Sequence, residues 1–143
     1  MRVGGSGHDK SHSVCADGSG GALVVGHFSG TVVFGSISLT SSGGKDAFIL
    51  KIDSSGGITW AVAAGGSGDD KAYGVTRDAD AGALVTGYFA GAAGFGAAGS
   101  VSSQRVKRHA FTALCTLGSL PAVHFALTAS VHSASAAGEQ RGR

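Results

Sequence analysis

Apolar and polar residues alternate along most of this chain, and clusters of glycine, serine and aspartate interrupt the alternation. Ala22 to Ser29 is the clearest case. It separates at period 2 into Ala22, Val24, Gly26, Phe28 and Leu23, Val25, His27, Ser29. A strand turns successive side chains to opposite faces, so this pattern predicts a strand. Ser11 to Asp17 alternates more weakly and meets Ala22 through ADGSGG (Ala16 to Gly21), a turn signal that predicts a hairpin. Asp46 to Asp53, DAFILKID, predicts a largely buried strand, and DSSGG (Asp53 to Gly57) turns it back into Ile58 to Ala64. Val3 to Asp9 predicts a glycine-rich loop. Thr31 to Phe34 predicts a short strand or bulge, followed by Ser36 to Thr40 and a Ser-Ser-Gly-Gly turn.

The pattern is written twice. Gly65 to Gly96 laid on Gly4 to Gly35, at an offset of 61 residues, is identical at 17 of 32 positions. Ala83, Val85, Gly87 and Phe89 repeat the first set unchanged, whereas the second set becomes Leu84, Thr86, Tyr88, Ala90. One strand face thus tolerates less change, as expected where it packs against a neighbouring layer. Gly26 and Gly87 in mid-strand predict close approach of another backbone. Each unit offers four strands: Ser11–Asp17, a bent Ala22–Phe34, Asp46–Asp53 and Ile58–Ala64. After Gln104 the second copy departs from the first. A two-residue insertion sets His109-Ala110-Phe111 against Asp46-Ala47-Phe48, and the period-2 run Val123 to His132 favours a last strand over a helix begun at Pro121. The expected division is residues 1–64, 65–128 (degenerate after 104) and a disordered polar tail, 129–143.

Composition agrees with an all-β reading. There are 26 glycines and a single glutamate, Glu139, so the residues that build helix surfaces are scarce. Net charge is +2 but uneven: residues 1–100 hold six Lys/Arg and eight Asp, and residues 101–143 hold five Lys/Arg and one Glu. The basic cluster Arg105, Lys107, Arg108 has no interleaved aromatics to stack bases, and it reads as a solvated loop rather than a nucleic-acid patch. Cys15 and Cys115 occupy non-equivalent places in the two copies, which predicts free thiols rather than a disulfide framework. The N-terminus has no apolar core of a signal peptide, and no run approaches the ~20 apolar residues of a membrane span. Arg2-Val3 stands where the second copy has Ala63-Ala64, so the chain is expected to be a fragment that begins part-way through a unit.

GGSGDDKAYGV and GYFAG in the second copy, with SSGGKDAFILKIDSSGGITWA in the first, resemble the bacterial β-propeller repeat family often abbreviated SBBP. The resemblance covers roughly residues 3–114. It implies an all-β fold of two antiparallel four-stranded propeller-like blades. It further implies a place in a larger bacterial secreted or cell-surface repeat protein, with further blades, or a protein or surface ligand, as partners. The family shares no catalytic activity. Propellers typically need four to eight blades, so two make a partial, open one.

Candidate chemistry is weighed against turn chemistry. GGSGHD (Gly4 to Asp9) and GGSGDD (Gly65 to Asp70) match the first six places of a calcium-binding β-roll nonapeptide, but stand 61 residues apart where tandem copies are needed. Asp78 to Gly82 resembles the start of a calcium loop without the bidentate glutamate. His8, His12, His27, His109, His124 and His132 show no paired ligand spacing, and His12 and His27 face Tyr73 and Tyr88 in the other copy as half-exposed ring-shaped fillers. Ser6, Ser19 and Ser67 lack the flanks of a nucleophile elbow; Gly43-Gly44-Lys45 is no P-loop; Gly18-Ser19-Gly20 has Leu23 where a dinucleotide glycine belongs. The expectation is a non-catalytic structural or interaction module with no catalytic, cofactor or metal residues, no nucleic-acid partner and no membrane span. A calcium- or carbohydrate-binding surface module and an accessory domain of a secreted hydrolase are the alternatives.

Overall fold

The computed structural model describes residues 4–77, 83–94, 100–102, 109–117 and 123–128. Among them the elements are all strands: β1 (Gly4–Gly5), β2 (Lys10–Ala16), β3 (Ala22–Phe34), β4 (Ile37–Ile52), β5 (Ile58–Gly66), β6 (Lys71–Arg77), β7 (Ala83–Phe89), β8 (Ala92–Gly94), β9 (Ser100–Ser102), β10 (His109–Leu117) and β11 (Val123–Thr128). Every ladder is antiparallel, and neither sheet closes on itself. No helix among the described residues is long and apolar enough to cross a membrane.

Two equivalent meanders carry the fold. The first runs β2-β3-β4-β5 and the second β6-β7-β10-β11. Their registers repeat at the offset of the sequence: Lys10 pairs with His27 and Lys71 with Tyr88, and each inner pair carries a bulge, at Ser11/Ser13 and at Ala72/Gly74. The insertion before β10 is read correctly from sequence, because Phe28 pairs with Asp46 and Phe89 with His109. The final strand is also as expected, with Cys115 paired to Phe125.

Two segments expected as loops are strands. Gly4 and Gly5 pair with Val33 and Val32 as a short edge, and the end of β5 does the same for the second unit, Gly65 with Gly94 and Gly66 with Ala93. The Ser-Ser-Gly-Gly segment is not a turn either. It lies inside the continuous strand β4, where the β3 ladder steps from Ser29–Lys45 to Thr31–Thr40. Gly30 (φ 72°) forms the bulge opposite, and its N–H donates to Ser41 Oγ at 2.9 Å. Residues 41–44 therefore swing off the β3 ladder and lie against the second unit. Asp78–Gly82, the basic cluster, His132 and the tail 129–143 lie outside the described residues.

The β3–β4 sheet is apolar on both faces. Leu23, Val25, Ala47, Ile49 and Ala64 turn toward the second unit and form one core with its Ala72, Ala83, Val85, Phe89 and Ala93. Phe28, Val32, Phe34, Phe48 and Leu50 gather on the opposite face, with Val24, Ile52 and Ile58 half-buried beside them. The expectation of close approach at Gly26 holds. A Cβ there would strike the Lys10 carbonyl and come within 2.8 Å of the Phe48 ring. Gly26→Val is expected to cost about 1–3 kcal/mol through overpacking. Val33→Ala, at a residue 46% exposed, should stay within about 0.5 kcal/mol. Chemical denaturation of the two variants checks this, and equal losses would count against the packing account.

Candidate functional site

Aspartates organise the loops by accepting backbone hydrogen bonds. At the hairpin after β2, Asp17 Oδ1 accepts from Ser19 and Gly21 N–H, both at 2.8 Å, while Ser19 Oγ donates to Oδ2 at 2.7 Å. Asp53 repeats this after β4, accepting from Ser55 N–H at 2.8 Å and Gly57 N–H at 2.9 Å, and from Ser55 Oγ at 2.6 Å. The serine hydroxyls, followed by the turn amides, hold both carboxyls below the ordinary range. Lys51 Nζ adds an ion pair to Asp17 at 3.2 Å.

The two GGSG-x-D loops share one construction. Asp9 Oδ2 accepts from Gly5 N–H and Asp70 Oδ2 from Gly66 N–H, each at 2.7 Å. Asp70 is 1% exposed, and its Oδ1 takes a further bond from Ala90 N–H at 2.9 Å. These carboxylates close their own loops. Among the described residues no group of three His, Cys, Asp or Glu is arranged to hold a metal ion.

The second loop is clasped by residues 42–46 of the first unit. Asp70 N–H donates to the Lys45 carbonyl, Lys45 N–H donates to Asp69 Oδ1 at 3.1 Å, and Lys45 Nζ stands 3.9 Å from Asp69 Oδ2. Asp46, also 1% exposed, accepts from Ser42 N–H at 3.0 Å. Burial pushes the Asp46 and Asp70 carboxyls up, and the charge of Asp46 adds to the rise at Asp70. Small residues make this contact possible. A Cβ on Gly43 would lie 2.5 Å from Ser67 Cα, and one on Gly65 would lie 2.5 Å from Asp46 Cγ; one on Gly44 would strike the Asp69 carboxylate.

A row of rings crosses the same boundary, with His27–His12 and His12–Tyr73 centroids both 4.9 Å apart and Tyr73–Tyr88 centroids 5.7 Å apart. His12 Nε2 and His27 Nδ1 share a hydrogen bond at 2.8 Å. His27 is buried rather than half-exposed as the sequence suggests, while His12 is half-buried and Tyr73 exposed. The spacing of 15 residues gives no hint of this bond, which the bulge at Ser11/Ser13 creates by bringing residue 12 beside His27. Burial foremost, then the positive charges of Lys71, His12, Lys45 and Lys10, push the His27 ring down to about 4. His12 is lowered by burial, Lys10 and Lys71.

Of the other residues singled out, His8 donates its N–H to Ser29 Oγ at 2.9 Å, and Cys15 is a half-buried free thiol against the shared core, its pKa raised by burial. In the ladders His109 of β10 stands opposite Phe89 of β7, and His124 of β11 opposite Thr116 of β10. On the far face of the first unit, Val24, Val32, Phe34, Phe48, Leu50 and Ile58 line an apolar cavity of about 320 Å³. The sequence predicts burial for Phe48 and Leu50 and packing for the Val24 face, but gives no sign of this cavity.

The His pair sets a pH dependence. Between about 4 and the ordinary 6.5 of a histidine, the folded chain holds fewer protons at His27 than the unfolded chain. Stability from this site is therefore present above that window and lost as pH falls through it. Asp46 and Asp70, with raised pKa values, act in the opposite sense above the ordinary carboxylate value. The comparison with His27→Asn isolates the histidine, since both chains keep the aspartates. Wild type should lose stability relative to the variant from pH 6.5 to 4, measured by thermal melts; parallel curves would sink the assignment. No family model matches the chain, and no curated protein is significantly similar to it.

Proposed function

We propose that the chain is a non-catalytic structural and interaction module, two blades of an open β-propeller-type repeat protein, acting at the cell surface or outside the cell by packing against further blades or a protein or surface ligand. One observation carries the reading. The second unit buries Ala83, Val85, Phe89 and Ala93 against the first, and the positions 61 residues earlier, Ala22, Val24, Phe28 and Val32, lie on the first unit's other face. There Phe28 and Val32 are buried, but Ala22, Val24, Ile52 and Ile58 are only half-buried beside an apolar cavity. A face fully covered in one copy is thus covered only in part in the other. The repeated four-stranded meanders support the blade reading, since a blade is a four-stranded antiparallel sheet.

A partly covered apolar cavity of this kind suits an interaction site. The isolated chain is expected to bind a hydrophobic dye such as ANS and to associate as its concentration rises. Val24→Lys combined with Ile58→Lys, at two half-buried positions of the face, should suppress both while retaining cooperative unfolding. Dye silence together with a strictly monomeric mass in sedimentation would refute the reading.

A further inference from the structure

Three histidines of the first unit, His8, His12 and His27, stand where the second unit has Asp69, Tyr73 and Tyr88. The fold gathers them with two lysines. The β2–β3 register sets Lys10 opposite His27, and the β3–β4 register sets Lys45 opposite Ser29, so Lys10, His27 and Lys45 share one sheet face. Together with Gly7, His8 and Asp9 they line a cavity of about 390 Å³. Small-ligand sites run from about 300 to 1,000 Å³. None of the lining residues belongs to either apolar core.

Cations surround the buried side chain of this cavity. His27 is 7% exposed, and after burial itself the charges of Lys71, His12, Lys45 and Lys10 oppose a proton on its ring. A field of that sign repels a metal ion and attracts an anion. His27 Nδ1 shares its hydrogen bond with His12 Nε2, and Nε2 of His27 is bonded to no described residue. With the His12 ring donating, His27 carries its proton on Nε2 and presents a neutral, buried donor. Lys45 Nζ stands 3.9 Å from Asp69 Oδ2, a partly exposed pair that leaves the ammonium donors to spare. Asp9 is the acid of the lining, but Gly5 N–H occupies its Oδ2 and its Oδ1 is shut off from solvent. At the position of His8 the second unit has Asp69, an acid that takes Lys45 as its own partner.

We propose that this cavity binds a small ligand through a tetrahedral oxyanion, a phosphate or a phosphate monoester, with Lys10 and Lys45 supplying charge and His27 Nε2–H a fixed donor. Hydrogen bonds from an ammonium to an oxyanion are roughly twice as strong as neutral ones. The bond from His12 keeps the His27 donor in place without requiring a charge on the buried ring. Binding of this kind is a further property of the module, separate from the packing of its apolar faces.

The test is an amide NMR titration of the full chain at neutral pH and constant ionic strength, with inorganic phosphate and glycerol 3-phosphate as probes. Saturable shifts should appear at Gly7 to Lys10, His27 and Lys45. Lys10→Gln and His27→Phe should each weaken binding by roughly tenfold or more, the effect of one lost hydrogen bond to a charged group. Lys51→Gln removes a cation that pairs with Asp17 outside the cavity, and should leave binding unchanged. Thermal melts check that each variant folds; Lys10 is exposed, so Lys10→Gln keeps the test decisive if His27→Phe does not. Tighter binding of glycerol 3-phosphate assigns the site to an esterified anion, and tighter binding of inorganic phosphate to the free ion. No shift with either probe would overturn the proposal. So would unsaturable shifts spread over surface lysines, the mark of an adventitious ion only, or equal losses in Lys10→Gln and Lys51→Gln.

Discussion

A sheet that is apolar on both faces has to be covered on both, and this requirement governs the whole chain. In β3, Leu23 and Val25 point one way and Val24 and Phe28 the other, and β4 does likewise with Ala47 and Ile49 against Phe48 and Leu50. Burial of apolar area is the main favourable term in folding, at about 25 cal/mol per Å². The first unit buries Phe28, Val32, Phe34, Phe48 and Leu50 among its own strands, and its other face needs a neighbour. The second unit covers one face of the first and forms a core that belongs to neither alone. This is the economy of stacked repeats, in which stability is shared between each unit and the interface with its neighbour.

Close stacking limits what can stand at the boundary. Units that approach through backbone need glycine and small residues there, and polar backbone groups removed from water need partners. Aspartate answers the second need repeatedly. Asp17 and Asp53 fold their hairpins around a carboxylate, Asp9 and Asp70 draw in the amide four residues back, and Asp46 takes the Ser42 amide inside β4. The eight aspartates against one glutamate make sense in these terms. The shorter side chain reaches amides two to four residues away without leaving the turn.

Much of this was legible in the sequence, and the reasons divide cleanly. Strand alternation and the DGSGG and DSSGG turns are local signals, and β2, β3, β5 and the Asp17 and Asp53 hairpins follow from them. The repeat offset transferred those assignments to the second unit and located β10 despite the insertion. What local reading missed was decided by contacts across the boundary. Residues 41–44 carry the composition of a turn, yet their glycines admit the loop of the second unit. Ser-Ser-Gly-Gly is extended here because a neighbour lies alongside it. The His12–His27 bond was equally hidden, since a bulge sets the residue at position 12 beside a strand partner that simple alternation assigns elsewhere.

Differences between the copies then acquire a physical meaning that identities alone lack. Ala22, Val24, Gly26 and Phe28 recur without change, and in the second unit Ala83, Val85 and Phe89 of that set are buried in the core shared with the first. The other face, Leu23, Val25, His27, becomes Leu84, Thr86, Tyr88, and Leu84 and Thr86 are exposed where Leu23 and Val25 are buried. A valine-to-threonine exchange keeps the volume and the β-branch but adds a hydroxyl, which costs stability beneath a neighbour and little in water. Polarity has thus entered the second unit on the face that the first unit buries at the junction, where Val25 packs and Thr86 stands in water.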